Sequence, residues 1–141
     1  GALIAALDRG VPCGGWCPAG RKAEDGAIPP FFPLRELADD DYPARTLKNV
    51  QDSDGTAAIF FSELEGGTEL TVAYCRRERK PFLLLDAHEM DTAEAARRIG
   101  GFVAEHGIAT LNVAGPRASR HPAAQAWARA AVREFLENLP R

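Results

Sequence analysis

Three short, almost unbroken apolar runs stand out along the chain: Thr56-Ala57-Ala58-Ile59-Phe60-Phe61, Phe82-Leu83-Leu84-Leu85-Asp86 and Thr110-Leu111-Asn112-Val113-Ala114-Gly115. Runs of this length without polar alternation predict strands buried on both faces, as in a parallel sheet. Each is followed by a stretch with helical signals. A helix is predicted from Gly66-Gly67-Thr68 to about Lys80, with Glu69 in its first turn and Arg76, Arg77, Arg79 and Lys80 near its end. Those charges complement the helix dipole at both termini, and Pro81 stops the helix. Asp91 is the expected cap of a second helix running to about His106, and Gly107 its terminator. Pro122 predicts the start of a last helix, in which Ala124, Trp127, Ala131 and Phe135 form one apolar stripe. Tyr42 to Asp52 reads as a further short helix, with Pro43 tolerated in its first turn.

The pattern upstream is less regular. Gly1 to Gly10 reads as a helix with Leu3, Ile4 and Leu7 on one face and Gly10 as the left-handed terminator. No Ser, Thr, Asp or Asn precedes it as a cap, so this helix is expected to begin upstream of Gly1. Val11 to Trp16 is a candidate strand entering a glycine turn, placed near a sheet end or edge by Pro12. Cys17 to about Asp41, with Pro18, Gly20, Gly26, Pro29, Pro30 and Pro33, reads as a long connection. Such loops in compact domains are usually functional. The alternation of strands and helices predicts an α/β three-layer sandwich with a parallel sheet, in a single domain over residues 1–141. Ligands in such folds bind beyond the carboxyl ends of the strands.

Composition narrows the function. The 141 residues are 45% apolar and 26% charged, an ordinary globular mixture, and the net charge is -3. A mildly acidic chain lacks the basic footprint of a general nucleic-acid binder. No apolar run approaches the roughly 20 residues of a membrane span. Three cysteines, an odd number, argue against a disulfide framework and for reduced thiols in the cytoplasm.

Chemistry-bearing residues cluster at the predicted carboxyl ends. In the Gly66-Gly67-Thr68 turn the glycines let a ligand approach the backbone, and the helix supplies free N–H groups for a phosphate. Thr68 and Thr71 add hydroxyls. The alternative is a plain helix start, with Thr68 as its cap. Asn112, Gly115, Arg117 and Ser119 form a second anion-friendly element after the last strand. Gly15, Trp16, Arg21 and Lys22 sit on the long connection, where they could close over a ligand, and Arg21 and Lys22 read equally as a solvated basic pair. Asp54 of Asp52-Ser53-Asp54-Gly55 is either a site carboxylate or turn chemistry. Cys13 and Cys17 flank Gly14-Gly15-Trp16, and His88, His106 and His121 show no ligand spacing, so no protein-ligated metal is predicted. No Ser-His-Asp or Cys-His constellation follows from spacing, and the catalytic residues, if any, stay unassigned.

These blocks together resemble the family named putative molybdenum carrier proteins. The resemblance rests on Gly14-Gly15-Trp16-Cys17-Pro18-x-Gly20-Arg21-Lys22-Ala23-Glu24-Asp25-Gly26, Ile28-Pro29, Pro33-Leu34-Arg35-Glu36, Arg45-Thr46-x-x-Asn49-Val50-x-Asp52-Ser53-Asp54-Gly55-Thr56, Gly66-Gly67-Thr68 with Thr71, and Leu111-Asn112-Val113-Ala114-Gly115-Pro116-Arg117-x-Ser119. It implies a Rossmann-like domain of the superfamily that includes lysine-decarboxylase-like proteins and cytokinin-activating phosphoribohydrolases. It further implies a phosphorylated small-molecule ligand, either a nucleotide or the molybdenum cofactor (molybdopterin), and a homo-oligomer. Metal would be held through the cofactor's own sulfurs. The family's chains begin with a strand and a Ser-Gly-Gly-Gln-Thr-Gly type turn, and Gly1-Ala2-Leu3 matches the inside of the helix that follows. That strand and turn are therefore expected to be missing from this sequence. The phosphoribohydrolases carry Pro-Gly-Gly-x-Gly-Thr before a glutamate, whereas Gly66-Gly67-Thr68-Glu69 lacks the proline and the third glycine. The expected function is thus a binding protein. The alternatives are a nucleotide N-glycosidase using Glu69, Asp54 and Arg117, and a nucleotide-sensing interaction module.

Overall fold

The computed structural model describes residues 42–116 and 121–138, together with the backbone of four two-residue strands upstream. These are β1 (Trp16–Cys17), β2 (Lys22–Ala23), β3 (Gly26–Ala27) and β4 (Arg35–Glu36). β1 pairs with β4 in parallel and β2 with β3 antiparallel. The stretch read as a long connection therefore carries local pairing, too short to leave a period in the sequence. The helix expected over residues 1–10 and the first five residues of the Val11–Trp16 strand lie outside the described residues.

From Tyr42 onward the alternation takes the expected order. α1 (Tyr42–Gln51) leads to β5 (Gly55–Phe60), α2 (Gly66–Arg77), β6 (Phe82–Asp86), α3 (Thr92–His106), β7 (Leu111–Ala114) and α4 (Ala124–Glu137). The fold is α/β and Rossmann-like. β5 lies between β6 and β7, and both pairings are parallel. Thr56 stands opposite Phe82 and Asn112, Ala58 opposite Ala114, and Phe60 opposite Asp86.

Alternation along β5 divides its side chains between two layers. Ala57, Ile59 and Leu85 of the sheet bury against Ala95, Ala96 and Ile99 of α3 and Ala131 and Phe135 of α4. Thr56 turns to the other face, where its hydroxyl meets the Cys75 thiol of α2, and α1 packs beside α2 on that side. This double coverage explains why β5 reads as a continuous apolar run. β6 departs from the expectation of a fully buried strand. Leu84 is 39% exposed, because β6 is the outer strand of this sheet and Leu84 alternates away from the α3–α4 core.

The helix ends follow their local chemistry. Asp91 accepts a hydrogen bond from the Glu94 N–H at 2.8 Å, and Gly107 closes α3 in the left-handed region with φ 60°. Asp91→Ala should lower stability by about 1 kcal/mol, as lost caps do, which a urea titration reads directly. α2 stops at Arg77, short of the expected Lys80. Arg79 turns left-handed at φ 55°, and the Lys80 ammonium reaches back to the carbonyls of Ser53 at 2.7 Å and Gln51 at 3.3 Å. α4 begins at Ala124, two residues after Pro122, and its cap residue Ala123 has no side-chain acceptor to offer.

Candidate functional site at the carboxyl end of the sheet

α2 follows β5 on one face, while α4 follows β7 on the other. Neighbouring strands whose helices leave to opposite faces open a crevice at their carboxyl ends. Gly66 to Thr68 border that crevice after β5, and Gly115 borders it after β7, where a Cβ would come within 3.8 Å of the Ile59 side chain.

The start of α2 is unlike an ordinary capped helix. Its cap residue is Glu65, which makes no side-chain capping bond, and Gly66 opens the first turn at φ 58°, a conformation that favours glycine. Thr68 lies inside the first turn instead of capping it. Its side chain is 2% exposed, and its hydroxyl oxygen is buried without a hydrogen-bond partner. Thr71 is also buried, but its hydroxyl donates to the Gly67 carbonyl at 2.8 Å. A Cβ at Gly66 or Gly67 would meet nothing within 4 Å, so the backbone there faces open space.

Beside this turn lies a group of side chains that sequence spacing did not reveal. The Asp86 carboxylate, at the end of β6, accepts hydrogen bonds from the backbone N–H of Ser62 at 2.9 Å and of His88 at 3.0 Å. The Ser62 hydroxyl is hydrogen-bonded to His88 Nδ1. Ser62 itself is left-handed at φ 68°, a costly conformation for a residue with a Cβ. The Phe61 ring meets His88 edge-on at 5.4 Å and stacks on His121 at 4.6 Å. The His121 Nε2 lies 3.8 Å from a Glu65 carboxylate oxygen. Ser62 and Phe61 meet Asp86 and His88 because β5 and β6 are parallel neighbours whose carboxyl ends coincide. The one sequence signal was Ser62 just past the first apolar run and Asp86 closing the second.

Two residues expected near the ligand sit elsewhere. Asn112 donates to the Thr56 hydroxyl at 3.2 Å, in register with the second residue of β5. Four residues of strand, about 13 Å at 3.3 Å each, separate that level from the end of β5. Asp54 is at the same amino end. Its carboxylate accepts the N–H groups of Thr110 at 2.9 Å and Ala109 at 3.0 Å, and these bonds hold it below the usual carboxylate range. That is the turn role, tying the entry of β5 to the entry of β7. A carboxyl group whose folded pKa lies below its unfolded value of about 3.9 stabilises the fold above that pH. The stabilisation is lost as pH falls through the folded value. The Tm difference between the parent chain and Asp54→Ala should therefore be greatest above about pH 4 and shrink in more acidic buffer.

Arg117, Ser119, Gly15 and Arg21 lie outside the described residues, and Trp16 and Lys22 fall in β1 and β2, which are described by their backbone alone. Among the described residues, no group of three or more His, Cys, Asp or Glu side chains is placed to hold a metal ion. No helix among them is long and apolar enough to cross a membrane.

Comparison with known proteins agrees with the fold. No curated protein matches this chain. Among solved structures, it is similar to the crystal structure of a protein from Syntrophus aciditrophicus SB named "Putative molybdenum carrier protein". The two are 39% identical with a TM-score of 0.92, over 95% of this chain and 85% of that one. Residues 1–136 match the family described as "Circularly permutated YpsA SLOG family", and this chain belongs to that family.

Proposed function

We propose that this chain is a small-molecule binding protein of the carrier type, holding a phosphorylated nucleotide or pterin at the carboxyl ends of β5 and β7. The observation that carries the reading is the orphaned Thr68 hydroxyl. A buried hydroxyl without a partner costs about 1–3 kcal/mol, and this one stands in the first turn of a helix whose leading N–H groups have no acceptor within the helix. A phosphate oxygen seated there accepts hydrogen bonds from the Thr68 hydroxyl and from the N–H groups of Gly66 and Gly67. Glu65, the cap residue of that helix, has a carboxylate oxygen 3.8 Å from His121 Nε2. Gly115 leaves room on the β7 side, and Arg117 and Ser119, two and four residues further along the chain, are assigned to the same ligand as cation and hydroxyl donor. The Syntrophus aciditrophicus relative is named a molybdenum carrier, and among phosphorylated pterins and nucleotides the molybdenum cofactor is the cargo that holds that metal.

The reading is tested by thermal shift with AMP, pyrophosphate and molybdopterin. A ligand specific to the folded state stabilises it by about 2.7 kcal/mol at a hundredfold excess over Kd. Gly67→Ala should keep or raise the unliganded Tm, since alanine favours a helix over glycine by about 0.5–1 kcal/mol. It should also abolish the ligand-dependent shift, because its methyl group occupies the open space in front of the backbone. A parent protein that shifts with none of the three compounds would overturn the reading.

A further inference from the structure

The carboxyl ends of β5 and β6 carry a second arrangement, which the phosphate reading does not use. We propose that Ser62 and His88 form a nucleophile–base pair that cleaves a carboxylic ester. The inference does not depend on the phosphate site.

Three observations support it. First, the Ser62 hydroxyl is hydrogen-bonded to His88 Nδ1. With the imidazole proton on Nε2, Nδ1 is an acceptor and can take the hydroxyl proton as attack begins. Second, both residues are exposed, so a substrate can reach the oxygen, yet both are held in place. Asp86 binds their backbone N–H groups through one carboxylate oxygen, and Phe61 fixes the imidazole edge-on. Third, Ser62 is held left-handed at φ 68°, in the sparsely populated region where strained functional residues concentrate. That turn lifts its side chain out of the strand line and toward β6.

The surroundings select the electrophile. Asp86 touches the pair, with one carboxylate oxygen on the backbone N–H groups of both Ser62 and His88. A transferring phosphoryl group needs cations around its oxygens, and the Asp86 carboxylate beside the pair repels it. A neutral ester carries no charge for Asp86 to repel as it binds, and negative charge forms on its carbonyl oxygen only between attack and loss of the alcohol. In the reaction, Ser62 Oγ bonds to the carbonyl carbon while its proton passes to His88 Nδ1. The bond from that carbon to the alcohol oxygen then breaks, and the alcohol leaves with the proton from His88. Water attacks the acyl-serine with the same imidazole as base, releasing the acid and restoring Ser62.

The test is labelling of the whole chain with a fluorophosphonate probe, read by mass spectrometry of peptides, alongside hydrolysis of p-nitrophenyl acetate. The expected result is one adduct on the peptide containing Ser62 and measurable p-nitrophenol release. Ser62→Gly should abolish both while leaving Tm unchanged or higher, because glycine adopts this φ without strain. His88→Ala should slow labelling at least about 100-fold, as loss of a general base does, with the far-UV circular dichroism of the parent. An unlabelled parent protein, or labelling equally fast in His88→Ala, would overturn the proposal.

Discussion

Ile59→Ala should destabilise the protein by about 2–5 kcal/mol, the cost of truncating a fully buried aliphatic side chain. Ile59 is 1% exposed and stands at the centre of the cluster that joins the sheet to α3 and α4. Its neighbours there, Leu85, Ile99 and Phe135, come from three different elements, so the cavity cannot be closed by moving one of them. For a chain of this length, the loss corresponds to a fall in Tm of roughly 10 °C. Leu84→Ala is the control. That leucine lies on the opposite face of the outer strand and is 39% exposed, and its truncation should cost under about half as much, because less apolar surface leaves water. A scanning calorimeter separates the two.

Thr68→Val should move stability and binding in opposite directions. Valine keeps the branched shape of threonine and close to its helix propensity, so packing in the first turn of α2 is preserved. The substitution removes a buried hydroxyl that has no partner. Relief of that penalty should raise the stability of the unliganded protein by about 1 kcal/mol, within the 1–3 kcal/mol that an unsatisfied buried group costs. Affinity for a phosphorylated ligand should fall by about 1.5–3 kcal/mol, the worth of a hydrogen bond to a charged group, or roughly 10- to 150-fold. A threonine that served only the fold would give no gain in stability and no loss in binding. Denaturant titration of the free variant and calorimetric titration with ligand, run on the same preparation, read both signs.

Much of the fold was legible because its signals are local. The strands of the sheet coincide within a residue with the three apolar runs, and Asp91 and Gly107 bound α3 as capping rules require. The carboxyl-end location of Gly66 to Thr68 followed from the alternation of strands and helices. Other features depend on contacts between distant residues. Asn112 read as part of a ligand turn because it precedes Gly115 by three positions, yet register with Thr56 puts it at the other end of the sheet. Asp54 could serve a site or a turn by its sequence, and the N–H groups of Ala109 and Thr110, more than fifty residues away, decide for the turn. The Ser62–His88 pair was illegible for the same reason. It exists only where two parallel strands end side by side. Nor could sequence show that Thr68 lies inside the first turn with an idle hydroxyl, since a threonine after two glycines reads equally as a cap.

Retention of a phosphorylated small molecule in the crevice at the start of α2 can be read on the intact protein. Native mass spectrometry of the protein, purified without oxygen and then mixed with AMP and molybdopterin in turn, tests it most directly. The expected result is a single mass increment matching a phosphorylated nucleotide or pterin, retained in the parent chain and reduced in Thr68→Val. A protein that carries no such increment as purified, and gains none from either compound, would contradict it.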